Sequence, residues 1–375
     1  MQTSRCSRSL LAVAPLLLTL AAAHGNADAQ FKAGLTTRII HPKEQRNWRG
    51  SVHHELDVTL WYPAPSTTVE TPQFLGPPIG PSGAPPLFLA GSAAPHAAFA
   101  PALEKSPLIL LSHGTGGSAL QLAWLGTALA RAGYIAAAVN HPGNNATEPY
   151  TPEGFALWWE RATDLSEVLD GLLADPELGP HIDRTRVGAA GFSIGGYTVL
   201  ALGGARTDIS VLTDLCHSDP QTPVCHVPEM KGMGSPDDVL RQVRKTSAVS
   251  LASSAESFRD PRIRAVFAIA PAVGMTLTRD SLHSMRLPVE IVVGSADPIA
   301  PPRDNADYIR SNIRGARETI LPNVVHYTWL DTCTPAGKEK LGAYCADNPG
   351  VDRDAIHQQV DDLAIRFFDR ALHMR

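Results

Sequence analysis

Several things are missing from this sequence, and each absence narrows what it can be. The 32 lysines and arginines and 37 aspartates and glutamates leave a formal charge of −5. No basic run could track a phosphate backbone, so nucleic acid is excluded as a partner. After the N-terminus there is no second long apolar run, which excludes a multi-spanning membrane protein. Internal repeats are absent as well. What is there is 375 residues, 44% of them hydrophobic. That is enough for one large α/β domain, with or without a cap.

The first residues read as a targeting segment. Arg5 and Arg8 precede an apolar stretch over 10–23, and Ala27-Asp28-Ala29 offers small residues for a signal peptidase. A signal peptide over 1–29, cleaved after Ala29, implies a secreted or periplasmic protein with catalytic residues in 30–375. Pro15 and the shortness of the run oppose stable membrane insertion. Of five cysteines, Cys6 leaves with the signal and Cys216, Cys225, Cys333 and Cys345 remain. Four cysteines allow three connectivities, and the local pairs Cys216–Cys225 and Cys333–Cys345 are the ones expected. Zinc on the repeated Cys216-His217 and Cys225-His226 pairs is the rival. Adjacent ligands do not easily face one tetrahedral ion, so no metal is expected.

A strand with apolar–polar alternation is expected at 56–61. Residues 63–107, rich in Pro, Gly, Ser and Ala, read as mostly surface loop with one helical turn near 97–103. From residue 108 short apolar strands alternate with helices. Strands are expected at 108–112, 135–139, 187–191, 265–270, 289–293 and 318–321, and helices at 120–132, 155–173, 197–202 and 356–372. This is the pattern of a mostly parallel sheet covered on both faces. The stretch 204–261 shows no clear strand and a possible helix at 236–245, and reads as a cap insertion on the ligand side.

Gly191-Phe192-Ser193-Ile194-Gly195-Gly196 matches the G-x-S-x-G elbow, placed between an expected strand and an expected helix. Glycines permit so tight a turn, and the serine is left exposed at its tip. A serine nucleophile needs an oriented base. Asp297 follows one expected strand and His326 the next, giving the order Ser, Asp, His. The oxyanion donors are expected to be the backbone N–H of Ile194 and that of Thr115, in His113-Gly114-Thr115-Gly116-Gly117. That glycine run lacks the lysine and following Ser/Thr of a P-loop. Trp158, Trp159, Tyr327 and Trp329 are candidate pocket walls, and His141 a candidate rim contact.

These motifs, with Asn140-His141-Pro142-Gly143-Asn144 and Ala296-Asp297-Pro298-Ile299-Ala300-Pro301, resemble the α/β-hydrolase family of predicted dienelactone hydrolases. That family is in turn similar to platelet-activating-factor acetylhydrolases and polyester-cleaving cutinases. The resemblance implies the α/β-hydrolase fold, ester hydrolysis and no cofactor. Two departures stand out. Dienelactone hydrolases use cysteine where this chain has Ser193. Platelet-activating-factor acetylhydrolases place the acid after the preceding strand, where Ala270-Pro271-Ala272 offers no carboxylate. The acid position is cutinase-like.

The expected reaction is hydrolysis of a small-molecule, short-acyl ester through an acyl-enzyme on Ser193. An amidase or peptidase of the same fold, a polyester hydrolase and a catalytically silent binding protein are the alternatives.

Overall fold

Eleven strands of the described residues form one mixed sheet: β1 (Lys32–Ile40), β2 (Leu56–Ala64), β3 (Thr71–Leu75), β4 (Phe88–Pro95), β5 (Ser106–Ser112), β6 (Ile135–Val139), β7 (Ile182–Phe192), β8 (Ile263–Ile269), β9 (Val289–Gly294), β10 (Arg317–Leu321) and β11 (Thr332–Cys333). The computed structural model describes residues 31–43, 45–76 and 83–373, and the expected signal peptide lies outside them. The strand order is β10-β9-β8-β7-β5-β6-β2-β1-β4-β11, with β3 on β4. From β10 to β6 every pairing is parallel, and β2 joins β6 and β1 antiparallel. This is the α/β-hydrolase fold.

The parallel strands are apolar on both sides because both faces are covered. All residues of β5, β6 and β9 are buried. Helices Ala123–Arg131 and Arg353–His373 pack together on one face. Arg161–Ala174 and Ile194–Gly203 pack together on the other. The chain leaves β5 toward β6 on one side and later returns to place β7 on the other. The strand order therefore reverses at β5, and the carboxyl ends of β5 and β7 flank the crevice where open α/β sheets bind ligands.

The expectation of mostly loop over 63–107 is corrected: this stretch supplies β3 and β4. Their sequences, TPQFL and FLAGSAAP, carry little alternation, and pairing with neighbours holds them instead. The 97–103 region makes turns rather than a helix, held by Ala100 N–H donating to the Pro63 carbonyl at 2.9 Å. β1 was not foreseen either. Its Gly34 lies against the Tyr62 ring, where any Cβ would collide. The single helix expected over 155–173 is interrupted at Leu157, between Pro152–Ala156 and Arg161–Ala174.

Both expected disulfides are formed, with Cα–Cα distances of 5.7 Å for Cys216–Cys225 and 5.9 Å for Cys333–Cys345. The first ties up the sulfurs that a zinc site would need. Between β7 and β8, helices Ile209–Ser218, Pro236–Thr246 and Ala248–Ala252 occupy the insertion. A capping box between Ser235 and Asp238 starts the second of these. Among the described residues no helix is long and apolar enough to cross a membrane.

Candidate active site

Ser193 stands between the end of β7 and helix Ile194–Gly203, with φ 58° and ψ −121°. A non-glycine residue held there is strained. Two backbone bonds fix it: its N–H donates to the Ile269 carbonyl at 2.9 Å, and its carbonyl accepts from Ala272 N–H at 3.0 Å. The flanking glycines are required by space. A Cβ on Gly191 would strike the Gly195 carbonyl, and one on Gly195 would strike the Ser112 carbonyl.

At the ends of neighbouring strands the other partners come together. The Ser193 hydroxyl lies 3.0 Å from His326 Nε2, and His326 Nδ1 lies 2.7 Å from Asp297 Oδ2. Asp297 Oδ1 accepts from the N–H groups of Ile299 at 2.9 Å and Ala300 at 2.8 Å. Those two amides fix the carboxylate. The imidazole is then held with Nδ1–H toward Asp297 and Nε2 free to accept the serine proton. Asp304, a nearby acid, instead pairs with exposed Arg303.

Thr115, Ser193, Ile194 and His326 all line one cavity of about 730 Å³. In the loop after β5 the neighbouring donors are spoken for. Gly114 N–H goes to Gln121 at 2.6 Å, Gly116 N–H to Asn144 at 2.7 Å and Gly117 N–H to the Gly114 carbonyl at 3.2 Å. Thr115 is the remaining donor of that run. The insertion supplies Ile209, Leu212, Val224, Met230 and Leu240 to the same cavity.

Of the candidate walls, Trp158 and Tyr327 line this cavity. Trp159, Trp329 and His141 do not, which corrects their assignment as substrate contacts. Trp159 is fully buried and donates to the Ser250 carbonyl at 3.1 Å, and Trp329 is fully buried in the core. His141 lies beneath the loop that carries Thr115.

His141 belongs to a second array that the sequence reading missed. The Ser112 hydroxyl donates to His141 Nε2 at 2.9 Å, and His141 Nδ1–H donates to Asp164 Oδ2 at 2.7 Å. Arg49 reaches the same carboxylate oxygen at 2.6 Å and Arg46 the other one. Arg161 donates to the His113 carbonyl. Burial would raise the Asp164 carboxyl, but Arg49, Arg46 and His141 outweigh it and hold it well below its usual value. Burial and the charges of Arg161 and Arg49 push His141 down to about 3. The ring is neutral, as its hydrogen bonds require. A second missed residue is Glu229, from the insertion, which lines the cavity with Tyr150, Tyr327 and Tyr344.

Comparison with known proteins agrees with this architecture. Residues 88–154 match the family model described as platelet-activating factor acetylhydrolase, isoform II, one of the families the motifs resemble. A ferulic acid esterase from Streptomyces cinnamoneus is structurally similar, with a TM-score of 0.58, 22% identity and 92% of each chain covered. No curated protein matches in sequence. Fold and matches together show an α/β-hydrolase fold that is similar to the platelet-activating factor acetylhydrolases over the matched segment.

Proposed function

We propose that the chain is an exported serine carboxylic-ester hydrolase. One observation carries the reading: the Ser193–His326–Asp297 hydrogen-bond chain opens into a mostly apolar, partly open cavity at the reversal point of the sheet. Ser193 attacks the ester carbonyl as His326 takes its proton at Nε2, and Asp297 stabilises the imidazolium that forms. The tetrahedral oxyanion is bound by the N–H groups of Thr115 and Ile194. His326 returns the proton to the leaving alcohol, and water then releases the acid from Ser193 by the same sequence.

Residues 204–261 act as the cap. They add apolar walls to the cavity that holds Ser193, which favours short acyl groups that fit against them. Export is supported by the two disulfides and by the charged and apolar N-terminal sequence. N-terminal sequencing of the mature chain should begin at Gln30.

The test is kcat/KM across p-nitrophenyl esters and matched anilides, with Ser193→Ala as control. Ester turnover lost in the variant supports the reading. Anilides cleaved as fast as esters would favour an amidase, and no turnover of any substrate would favour a binding protein.

A further inference from the structure

Three carboxylates line the cavity, and they differ in what answers their charge. Asp237 is at the rim, exposed, and lies 3.1 Å from His217. Asp331 has both oxygens sealed from solvent, where no ligand reaches them. Glu229 is different. It has no lysine or arginine at ion-pair distance among the described residues, and its neighbours are His326 and the phenols of Tyr327 and Tyr344. Tyr150 also lines this end of the cavity, its hydroxyl donating to the Gly116 carbonyl at 2.8 Å.

Glu229 packs against the oxyanion loop itself, since a Cβ built on Gly116 would lie 3.2 Å from Glu229 Cγ. A negative charge held there opposes the negative charge that develops on the substrate beside Thr115. It also costs free energy to keep in an apolar cavity, and burial raises the Glu229 carboxyl above its ordinary value. Both penalties are reduced when a positive charge lies between the carboxylate and the reacting group. The aromatic rings suit such a charge. Those of Tyr327 and Tyr344 are 4.5 Å apart, and tyrosine faces attract cations, most strongly where water is excluded.

The walls of this corner are braced. Cys225, bridged to Cys216, lies four residues before Glu229, and Cys345, bridged to Cys333, directly follows Tyr344. Each crosslink fixes one side of the carboxylate–tyrosine corner, which pre-organises it for binding.

We propose that Glu229, with Tyr150, Tyr327 and Tyr344, forms a cation subsite that selects esters bearing an ammonium or quaternary ammonium group. The inference rests on the ester-hydrolase reading but names a substrate class that reading leaves open.

Its test uses binding to the Ser193→Ala chain, so it does not depend on turnover. The ligands are butyrylcholine and its neutral isostere 3,3-dimethylbutyl butyrate, measured by calorimetry or competition. The cationic ester should bind about tenfold or more tightly than the isostere, and Ser193→Ala/Glu229→Gln should bring the ratio close to one. Tyr344→Phe, which keeps the ring, should preserve most of the preference. Equal affinities in the Ser193→Ala chain, a preference that survives Glu229→Gln, or no binding of either ester would overturn the subsite. The parent reading fails separately: the wild-type chain would then hydrolyse neither cationic nor neutral esters and would resist a fluorophosphonate.

Discussion

Two regions of this molecule hold a serine, a histidine and an aspartate in the same hydrogen-bonded order. In one, Ser193, His326 and Asp297 are linked at 3.0 and 2.7 Å. In the other, Ser112, His141 and Asp164 are linked at 2.9 and 2.7 Å. The distances hardly differ, so distance alone does not make a nucleophile. Ser193 stands on a left-handed turn and faces a cavity, whereas Ser112 ends a buried strand and is fully covered. The aspartates differ too. Backbone amides hold Asp297, while Asp164 sits between Arg46 and Arg49. On the proposed reading the first set lets a proton move, whereas the second holds its charges still. Through Ser112 and the Arg161 bond to the His113 carbonyl, the second set supports the loop that presents Thr115.

The sharpest break of the comparison is at the two serines. Ser193→Ala should lower kcat by about four orders of magnitude or more with little change in the melting curve. Ser112→Ala should lower kcat less than about tenfold while costing about 1–3 kcal/mol of stability, because His141 Nε2 loses its donor. Urea titration with initial rates reads both.

The aspartates should divide in the same way. Asp297→Asn should lose about three orders of magnitude or more in kcat through the wrong His326 tautomer, and stay folded. Asp164→Asn leaves Arg46 and Arg49 facing a neutral amide, and should destabilise by about 3–5 kcal/mol. Thermal melts of the two variants side by side show which aspartate carries which load.

Acid sharpens the contrast further. His141 is held down to about 3 when folded and returns to about 6.5 when unfolded. Between those values the unfolded chain binds more protons, so stability falls as pH drops through that window and is regained as pH rises. His357, pushed down to about 4 by burial, acts in the same direction. His141→Gln should flatten the decline of urea midpoint between pH 6.5 and 4. An unchanged slope would remove His141 from the account.

The smallest effect concerns the cap. Acyl chains from two to sixteen carbons on a common phenol should give falling kcat/KM once they outgrow the cavity, each unburied methylene forfeiting about 0.8 kcal/mol. A maximum at long chains would mean that the insertion does not close the site.

The sequence singled out the residues of one of these two arrays and missed the other. The glycines around Ser193 mark a turn that only one geometry allows, and Asp297 and His326 each follow an apolar strand, so their convergence could be read from order alone. Ser112, His141 and Asp164 carry no such mark. They come from two strand ends and a helix, and only the sheet reveals that they meet. His141 looked like a rim residue because it follows a strand's carboxyl end. The array's charges lie beneath the loop, out of reach of the cavity. Strands β3 and β4 were illegible for a related reason: small residues and prolines give no alternation, and hydrogen bonds to neighbours decide their conformation. Glu229 had no sequence signal, since an isolated glutamate in a cap reads as surface until the fold carries it to His326.

The central claim is that Ser193, and not its buried counterpart, is the nucleophile. Treating the folded chain with a fluorophosphonate and mapping the adduct by mass spectrometry tests it most directly. The account predicts one modified serine, Ser193, with Ser112 untouched and no adduct in Ser193→Ala. An adduct on another serine, or a folded wild-type chain that takes none, would contradict it.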